Sequence, residues 1–558
     1  MTNSDIADHF SLLSKLMDIH GEDSFRAKSY SIAAYHIENL PAQASEMADA
    51  ELFSMKGIGA STGKKIQEIL TTGKLAALEE KIAITPPGIL EMMKVKGLGP
   101  KKIALLWKEM QIESIGELEY ACHENRLLTL KGFGAKTQQS ILENIAFLNS
   151  AKGFHLWAEV YSIANGLVEN LRKTYPQNKI EITGDLRRQQ EILEAIELVT
   201  DIPKELLFRN IQNIPDALID DLSETNSTVK IPGQPLIKVH FTATDNFIGT
   251  WFTTSAGPEF LTAFQEQYSF PKPLHDEAQL FHANGLAYIP PPLRETKNSL
   301  QRAAENTLPE LIQPKDIKGI IHAHSTWSDG AHTLEQMAKA AKEKGFEYLV
   351  ISDHSQAAYY AKGLKPEQIA LQHAEVDALN RKLAPFKIFK SIEADILFDG
   401  SLDYNESILS TFDMVIASVH SNLRMNIEKA MSRMLKAIAH PFTSVLGHPT
   451  GRLLLSREGY PMDHKRIIDA CAEHEVVIEI NAHPRRLDLD WRWIDYALQK
   501  NLLLSIDPDA HAIAGFEDIY FGVMAAQKGG LTAAQNLSSF SLPEMEAFIA
   551  RQKTKRKC

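Results

Sequence analysis

The chain has 558 residues, 59 lysines and arginines against 71 aspartates and glutamates, and a formal net charge of −12. At ~100–200 residues per domain this length predicts three or four domains, and the 44% hydrophobic content excludes a disordered chain. No run of ~18 apolar residues exists, so no transmembrane helix and no membrane partner are expected. The first residues, MTNSDIADHF, lack the basic and apolar regions of a signal peptide. Cys122, Cys471 and Cys558 form neither a disulfide framework nor a cysteine zinc site, which predicts a cytoplasmic protein. The acidic balance excludes a generally basic nucleic-acid coat but leaves room for local basic patches. It says nothing of oligomeric state.

In chain order, residues 1–80 and 81–150 read as helical, 151–300 as mixed, 301–315 as a connector and 316–558 as repeated strand–helix units. Amphipathic helices are predicted at the start, with Phe10, Leu13, Leu16 and Met17 on one face and Ile32, Ala33 and Ile37 on another. One pattern then recurs three times: Lys56-Gly57-Ile58-Gly59, Lys96-Gly97-Leu98-Gly99 and Lys131-Gly132-Phe133-Gly134. Each follows a short helical stretch and precedes a basic amphipathic one, which predicts helix, tight glycine hairpin, helix. Such a hairpin offers backbone N–H groups to DNA phosphates, and the glycines permit close approach. Lys94, Lys96, Lys101, Lys102 and Lys108 surround the second copy with no acid between them, a phosphate-facing patch or else a solvated face. Strands are expected at Lys179–Thr183 and Pro235–Thr242.

The chemistry concentrates after residue 317. The strand Lys318–Ala323 carries His322 and His324, which period two places on one side. Asp329 follows in the turn Ser328-Asp329-Gly330, and later apolar strands end at His354, Glu393, His420 and His448, while Leu502–Ile506 leads into Asp509 and His511. In a parallel βα barrel those ends converge on one face. Imidazole and carboxylate together suit zinc, manganese or iron, and so many groups predict two or three ions sharing a bridging carboxylate. Water on such ions becomes a nucleophile near neutral pH, so phosphoester hydrolysis is the expected chemistry. Arg452 is expected either to contact a phosphate or to pair with a carboxylate.

The stretches HAHSTWSDG, ISDHS, SIEADIL, ASVHS, LGHPTGR, EINAHP and DPDAH resemble the successive motifs of the PHP (polymerase and histidinol phosphatase) domain over about 318–530. The resemblance implies a distorted (β/α)7 barrel with a trinuclear site. One ion would be held by His322, His324, Glu393 and Asp509, a second by Glu393, His420 and His448, and a third by Asp329, His354 and His511. Asp507-Pro508 departs from the Asn-Thr more usual there. The stretches HFSLLSKLMDIHGEDSFRAKSYSIAAYHIENL and LFSMKGIGASTGKKIQEILTTGKLAALEE are similar to the 8 kDa domain of family X DNA polymerases, and residues 1 to about 300 follow that architecture. Lys65 matches the family lysine that forms a Schiff base with an abasic sugar, and its plainer reading is a phosphate contact.

The stretch from Gly184 through Arg187, Arg188 and Glu191 to Val199 resembles the family's palm motif, but the Asp-x-Asp positions hold Ala195 and Glu197, and the third carboxylate position holds His240. Two-metal nucleotidyl transfer needs carboxylates to hold Mg²⁺. Trp251 to Ser255 looks like the family's sugar-sensing aromatic turn. The whole resembles a PolX-type architecture and implies a Mn²⁺-dependent 3′–5′ exonuclease of base-excision repair acting on gapped DNA or a free 3′ end, with an inactive palm. An active gap-filling polymerase, a non-enzymatic DNA-end binder and a small-molecule phosphatase are the alternatives.

Overall fold

The computed structural model describes residues 1–558 apart from 39, 41, 42, 56, 151, 152, 557 and 558, and apart from the side chains of 147, 149, 150 and 360. Lys56 of the first repeat and Cys558 therefore lie outside the described residues. The chain forms two compact units, one of residues 1–122 and 130–145, the other of 123–129 and 146–558.

The first unit is helical. Helix α1 (Asn3–His20) starts at Thr2, whose hydroxyl accepts from the Asp5 N–H, and stops at Gly21 with φ of 76°. Its buried face contains Phe10, Leu13, Leu16 and Met17, as the spacing predicts. Helix α2 (Ser24–Glu38) differs in one position: Ala33 and Ile37 are buried, but Ile32 is 47% exposed. The true stripe runs through Ala27, Tyr30, Ala33, Ala34 and Ile37, and Ile32 falls outside it.

Helices α3 (Asp49–Ser54), α4 (Ala60–Thr72), α5 (Ala76–Ala83), α6 (Pro87–Met92), α7 (Pro100–Met110), α8 (Ile115–His123) and α9 (Ala135–Ser150) complete the helical series. The three glycine repeats adopt one geometry. Gly57, Gly97 and Gly132 have φ of 83°, 90° and 94°. The apolar residue between the glycines, Ile58, Leu98 or Phe133, is buried in each copy. The second glycine accepts the first bond of the following helix, from Gly63, Ile103 or Gln138.

In the second unit, strands β1 (His155–Leu156) and β3 (Ile192–Leu193) pair with each other. A five-stranded sheet has the order β2-β4-β7-β6-β5, formed by β2 (Ile180–Thr183), β4 (Ala195–Thr200), β5 (Leu218–Asp221), β6 (Asn226–Lys230) and β7 (Leu236–Phe241). Strands β4 and β7 are parallel and the other pairs antiparallel. Trp251–Thr254 lies within the helix Phe247–Thr254 rather than in a turn.

The C-terminal part of this unit is a seven-stranded parallel sheet in sequence order: β8 (Gly319–Ala323), β9 (Tyr348–Ile351), β10 (Lys387–Asp395), β11 (Met414–Ser418), β12 (Val445–Leu446), β13 (Val477–Asn481) and β14 (Leu504–Asp507). A parallel bridge between Ala323 and Ala510 brings the first and last strands together and nearly closes the barrel. The core residues on these strands have little or no exposure, so the strands read as continuous apolar runs, as a sheet covered on both faces requires.

Candidate metal centre

Strand order in the barrel carries the candidate ligands to one end. Glu393 lies within β10, and its carboxylate sits among imidazoles. Oε1 is 3.3 Å from His322 Nε2, 3.0 Å from His420 Nε2 and 3.0 Å from His448 Nε2, and Oε2 is 2.9 Å from His354 Nδ1. Asp509 Oδ1 is 3.4 Å from His322 Nε2 and 3.0 Å from His324 Nε2. Asp329 Oδ1 lies 3.7 Å from His354 Nε2 and 3.5 Å from His511 Nε2. The structure thus brings all nine barrel residues singled out from the sequence into one cluster.

Three groups in that cluster each present ligand atoms within 4.8 Å of one another: His324, Asp329, His354 and His511; His322, His324 and Asp509; and His354, Glu393 and His420. Buried atoms without a hydrogen bond include His322 Nε2, both Asp329 oxygens, Glu393 Oε2 and His511 Nε2. Donor atoms buried in this way fit cations, since buried polar groups otherwise find partners. The mixed imidazole and carboxylate set suits transition metals.

Period two does not account for the placement of His322 and His324. His322 has φ of 59°, and the β8–β9 register shifts between Ile320 and Ala323. Asp509 (φ 51°) and His448 (φ 22°) also have positive φ. Such left-handed residues are unfavourable and persist where surrounding structure holds them, a frequent property of functional sites.

The electrostatics follow from the crowding of acids and imidazoles. Burial pushes the Glu393 carboxyl up, but His420, His322 and His354 together hold it well below the usual carboxylate range. Burial works against a charged His420, yet Glu393 and Asp395 carry it up to about 10. His511 is likewise carried up to about 9 by Glu124, Asp329 and Asp509 against its burial. His324 goes the other way, down to about 3, because burial is reinforced by His511 and His354. The carboxylates thus create a field that favours positive charge at the cluster.

Several supporting residues were not singled out from the sequence. Glu479 on β13 accepts from His322 Nδ1 at 2.5 Å, and its other oxygen accepts from the His448 N–H at 3.2 Å. Its sequence signal is a lone charge inside the apolar run Val-Val-Ile-Glu-Ile. Asp395 pairs with His420 Nδ1 at 2.5 Å and follows Glu393 at period two. Asp353 accepts from the N–H and hydroxyl of both Ser325 and Ser328, at 2.6 to 3.2 Å, and so organises the loop that carries Asp329. Burial pushes its carboxyl up to about 6 against those donors. Gly330 lets that loop fold tightly, because a Cβ there would stand 2.7 Å from the His324 backbone. Glu124 also reaches the cluster, with Oε1 3.8 Å from His511 Nδ1. Burial raises its carboxyl to about 7, partly offset by His511. No local pattern marked it.

Arg452 does not point a free guanidinium at the cluster. It donates to Asp490, to the Arg486 carbonyl at 2.8 Å and to the Leu487 carbonyl, the carboxylate-pairing arrangement of its two readings. Asp507 accepts from Ser505 at 2.5 Å, and burial, with Glu479 nearby, pushes its carboxyl well up.

In the five-stranded sheet, Ala195 and Glu197 share one face of β4 by period two, and β7 runs beside it. Glu197 Oε2 is 3.0 Å from His240 Nε2, and His240 Nδ1 is 2.7 Å from Asn226 Oδ1. Ala195 is buried and supplies no ligand atom. Among the described residues, the groups of three or more converging ligand atoms all involve the barrel cluster. Arg187, Arg188 and Glu191 are engaged structurally. Arg187 and Arg294 both bind Glu277, Arg188 binds Asp185 and Glu295, and Glu191 accepts from Arg492 and Trp491. A cavity of about 840 Å³ opens beside His240, lined also by Asn226, Thr250, Thr254 and Lys272.

In the hairpin unit, a Cβ on Gly59, Gly97, Gly99, Gly132 or Gly134 would meet nothing within 4 Å. Gly59 and Gly99 have φ of −81°, which any residue adopts. Lys101 is exposed on α7, while Lys102 lies 5.5 Å from the Phe133 ring centre. Lys108 leaves the expected patch and donates to the His20 carbonyl at 2.8 Å. Lys65 sits half-buried on α4. Among the described residues, no helix is long and apolar enough to cross a membrane.

Comparison with known proteins agrees with this division. Residues 1–75 match a helix-hairpin-helix domain, 89–146 a SAM-like helix-hairpin-helix tandem, and 321–483 the PHP domain. The DNA polymerase/3′-5′ exonuclease PolX of Bacillus subtilis is 32% identical over 576 residues, covering 99% of this chain and 100% of that protein. A probable phosphatase of Caldanaerobacter subterraneus is 29% identical over 169 residues, 29% of this chain and 60% of its own length. A probable phosphatase of Caldicellulosiruptor saccharolyticus is 31% identical over 168 residues, with shares of 29% and 64%. With hairpins, a mixed middle sheet and a PHP barrel in that order, and a PolX protein matched along its full length, the chain belongs to the PolX family.

Proposed function

We propose that the barrel cluster is a two- or three-metal phosphodiesterase centre that removes nucleotides from DNA 3′ ends, and that the palm-like sheet does not catalyse nucleotidyl transfer. The carrying observation is Glu393, whose two oxygens stand within 3.3 Å of four imidazoles, the position of a bridging carboxylate. His322, His324, Glu393 and Asp509 would hold one ion, Glu393, His420 and His448 a second, and Asp329, His354 and His511 a third. Manganese fits the donor set, with zinc or iron as alternatives. When bound, such ions supply Lewis-acid stabilisation of phosphoryl charge and acidify a water for attack.

The protein's own residues prepare that chemistry. Glu479 and Asp395 fix the tautomers of His322 and His420, leaving Nε2 of each turned toward Glu393. Asp353 fixes the Asp329 loop. Arg452 acts by bracing the Arg486–Leu487 backbone, not by touching phosphate. The glycine hairpins bind DNA without regard to sequence. This reading is supported by second glycines that no internal clash or strained φ requires, so that close approach from outside explains them. Lys101 contributes charge there, and Lys65 serves as a phosphate contact. The Bacillus subtilis relative's name pairs polymerase with 3′-5′ exonuclease, and this chain keeps the second activity. In the palm, Ala195 offers no ligand and Glu197 is satisfied by His240, so two Mg²⁺ ions find no carboxylate pair. Incubating the protein with 3′- and 5′-labelled gapped DNA and Mn²⁺, with and without dNTPs, tests the proposal. Release of nucleoside monophosphates from the 3′ end is expected, and template-directed extension would refute the palm assignment.

A further inference from the structure

Two histidines of the cluster follow one pattern. The ring nitrogen of His322 and of His420 that faces away from Glu393 meets a barrel carboxylate, Glu479 or Asp395, at 2.5 Å. Such a partner sets the tautomer and strengthens the other nitrogen as a ligand. His511 follows the pattern only in part. Its Nε2 faces Asp329 at 3.5 Å, and its Nδ1 lies 2.9 Å from the Asp509 carbonyl. Two side-chain carboxylates stand 3.8 Å from Nδ1, Asp509 from the barrel and Glu124 from outside it, and both contacts are electrostatic and too long for a hydrogen bond.

Glu124 is 6% exposed, and its ligand atom lies within 4.8 Å of those of Asp509 and His511. Burying a carboxylate is strongly unfavourable unless a positive group answers it. Its segment, 123–129, packs as part of the unit that contains the barrel, although the residues before and after it in sequence belong to the hairpin unit. Leu127 is fully buried, and the His123 ring lies edge-on to His483, 6.1 Å between centres. The segment is therefore anchored and does not merely touch the cluster.

We propose that Glu124 is a positioning residue of the metal centre, a carboxylate delivered from outside the barrel that orients His511 and strengthens it as a ligand to an ion shared with Asp329 and His354. The inference rests on the reading of the cluster as a metal centre. It makes loading of that one ion position dependent on the seating of segment 123–129.

The test uses the full chain, stripped with chelator and titrated with Mn²⁺ while free ion is followed by electron paramagnetic resonance. Glu124→Gln, which keeps the shape and removes the charge, is expected to weaken one class of Mn²⁺ site by about 10–100-fold and leave the others unchanged. Glu124→Ala is expected to show the same loss, with sodium formate restoring it while leaving the wild-type isotherm unaltered. Superimposable isotherms for wild type and Glu124→Gln overturn the proposal. So does a loss in Glu124→Ala that formate does not restore, which would assign the side chain to packing. A wild type that takes up no Mn²⁺ removes the metal centre and this proposal together, whereas a loaded wild type with an unaffected variant removes only this one.

Discussion

The barrel end and the palm-like sheet are two candidate metal sites in one chain, and they differ in how their acids are answered. At the barrel end, Glu393, Asp509 and Asp329 face imidazoles at 2.9 to 3.7 Å, and several donor atoms remain without a hydrogen bond. In the palm-like sheet, the equivalent face of β4 holds one carboxylate, Glu197, and it is already paired with His240, which Asn226 holds from the other side. The first site keeps its ligands poised at the cost of unfavourable burial. In the second, Glu197, His240 and Asn226 form an ordinary hydrogen-bonded chain. Satisfied groups stabilise a fold but have no capacity left for an ion. The charged motif residues around the palm follow the same course, with Arg187, Arg188 and Glu191 engaged by Glu277, Glu295 and Arg492.

The sharpest test of this contrast removes its centre. Glu393→Ala should lower Mn²⁺-dependent nucleotide release from a labelled 3′ end by on the order of 10³-fold or more, since on the proposed reading that carboxylate would serve more than one ion position. Release that survives would refute the barrel assignment. Replacing Ala195, Glu197 and His240 by Asp together tests the other side. The unmodified protein should extend a primer at or below background, and any extension gained by the triple variant measures how much of the palm geometry persists. Metal analysis should find two to three transition-metal ions per chain, with His322→Ala/His324→Ala lowering the count. An unchanged count would make that strand's histidines structural.

A smaller effect concerns what the palm region's charges now do. Glu277 is buried between Arg187 and Arg294, and despite the cost of burial those guanidiniums hold its carboxyl down to about 2, below the ordinary 4.5. A depressed folded-state pKa gives stability that is fully present above pH ~4.5 and lost as pH falls through that value toward 2. Glu277→Gln should therefore destabilise the protein by about 3–5 kcal/mol at pH 7, and the gap in melting temperature should narrow between pH 4.5 and 2. A constant gap would mean that shape and not charge matters there. Smallest is the hairpin effect. Gly99→Val, at a φ any residue adopts, should weaken binding to gapped DNA by about tenfold, as phosphate contacts are lost, while hydrolysis of a small phosphodiester stays unchanged. Unaltered DNA binding would make the middle hairpin architectural.

Much of this was legible in the sequence because its signals are local. A Gly-x-Gly turn needs its glycine wherever the backbone is left-handed, as at Gly57, Gly97 and Gly132, so three copies announce themselves. Apolar strands that alternate with helices and end in histidine or carboxylate likewise announce a parallel barrel and its candidate ligands, since strand ends in such a fold converge by topology alone. That residue 195 supplies no ligand atom was also plain, because an alanine side chain carries no oxygen in any fold. Local pattern did not reach further. It placed Ile32 on the buried face of α2, where neighbouring helices decide otherwise. It put His322 and His324 on one side by alternation, whereas a left-handed His322 and a register shift bring them together. Glu479, Asp395 and Asp353 acquire their roles from contacts across 25 to 157 residues of chain. Glu124 lies farther still, 387 positions before His511 in the sequence. Hydrogen bonds, burial and charge act through space over a few ångströms, so only the tertiary structure decides which acids stand behind which ligands.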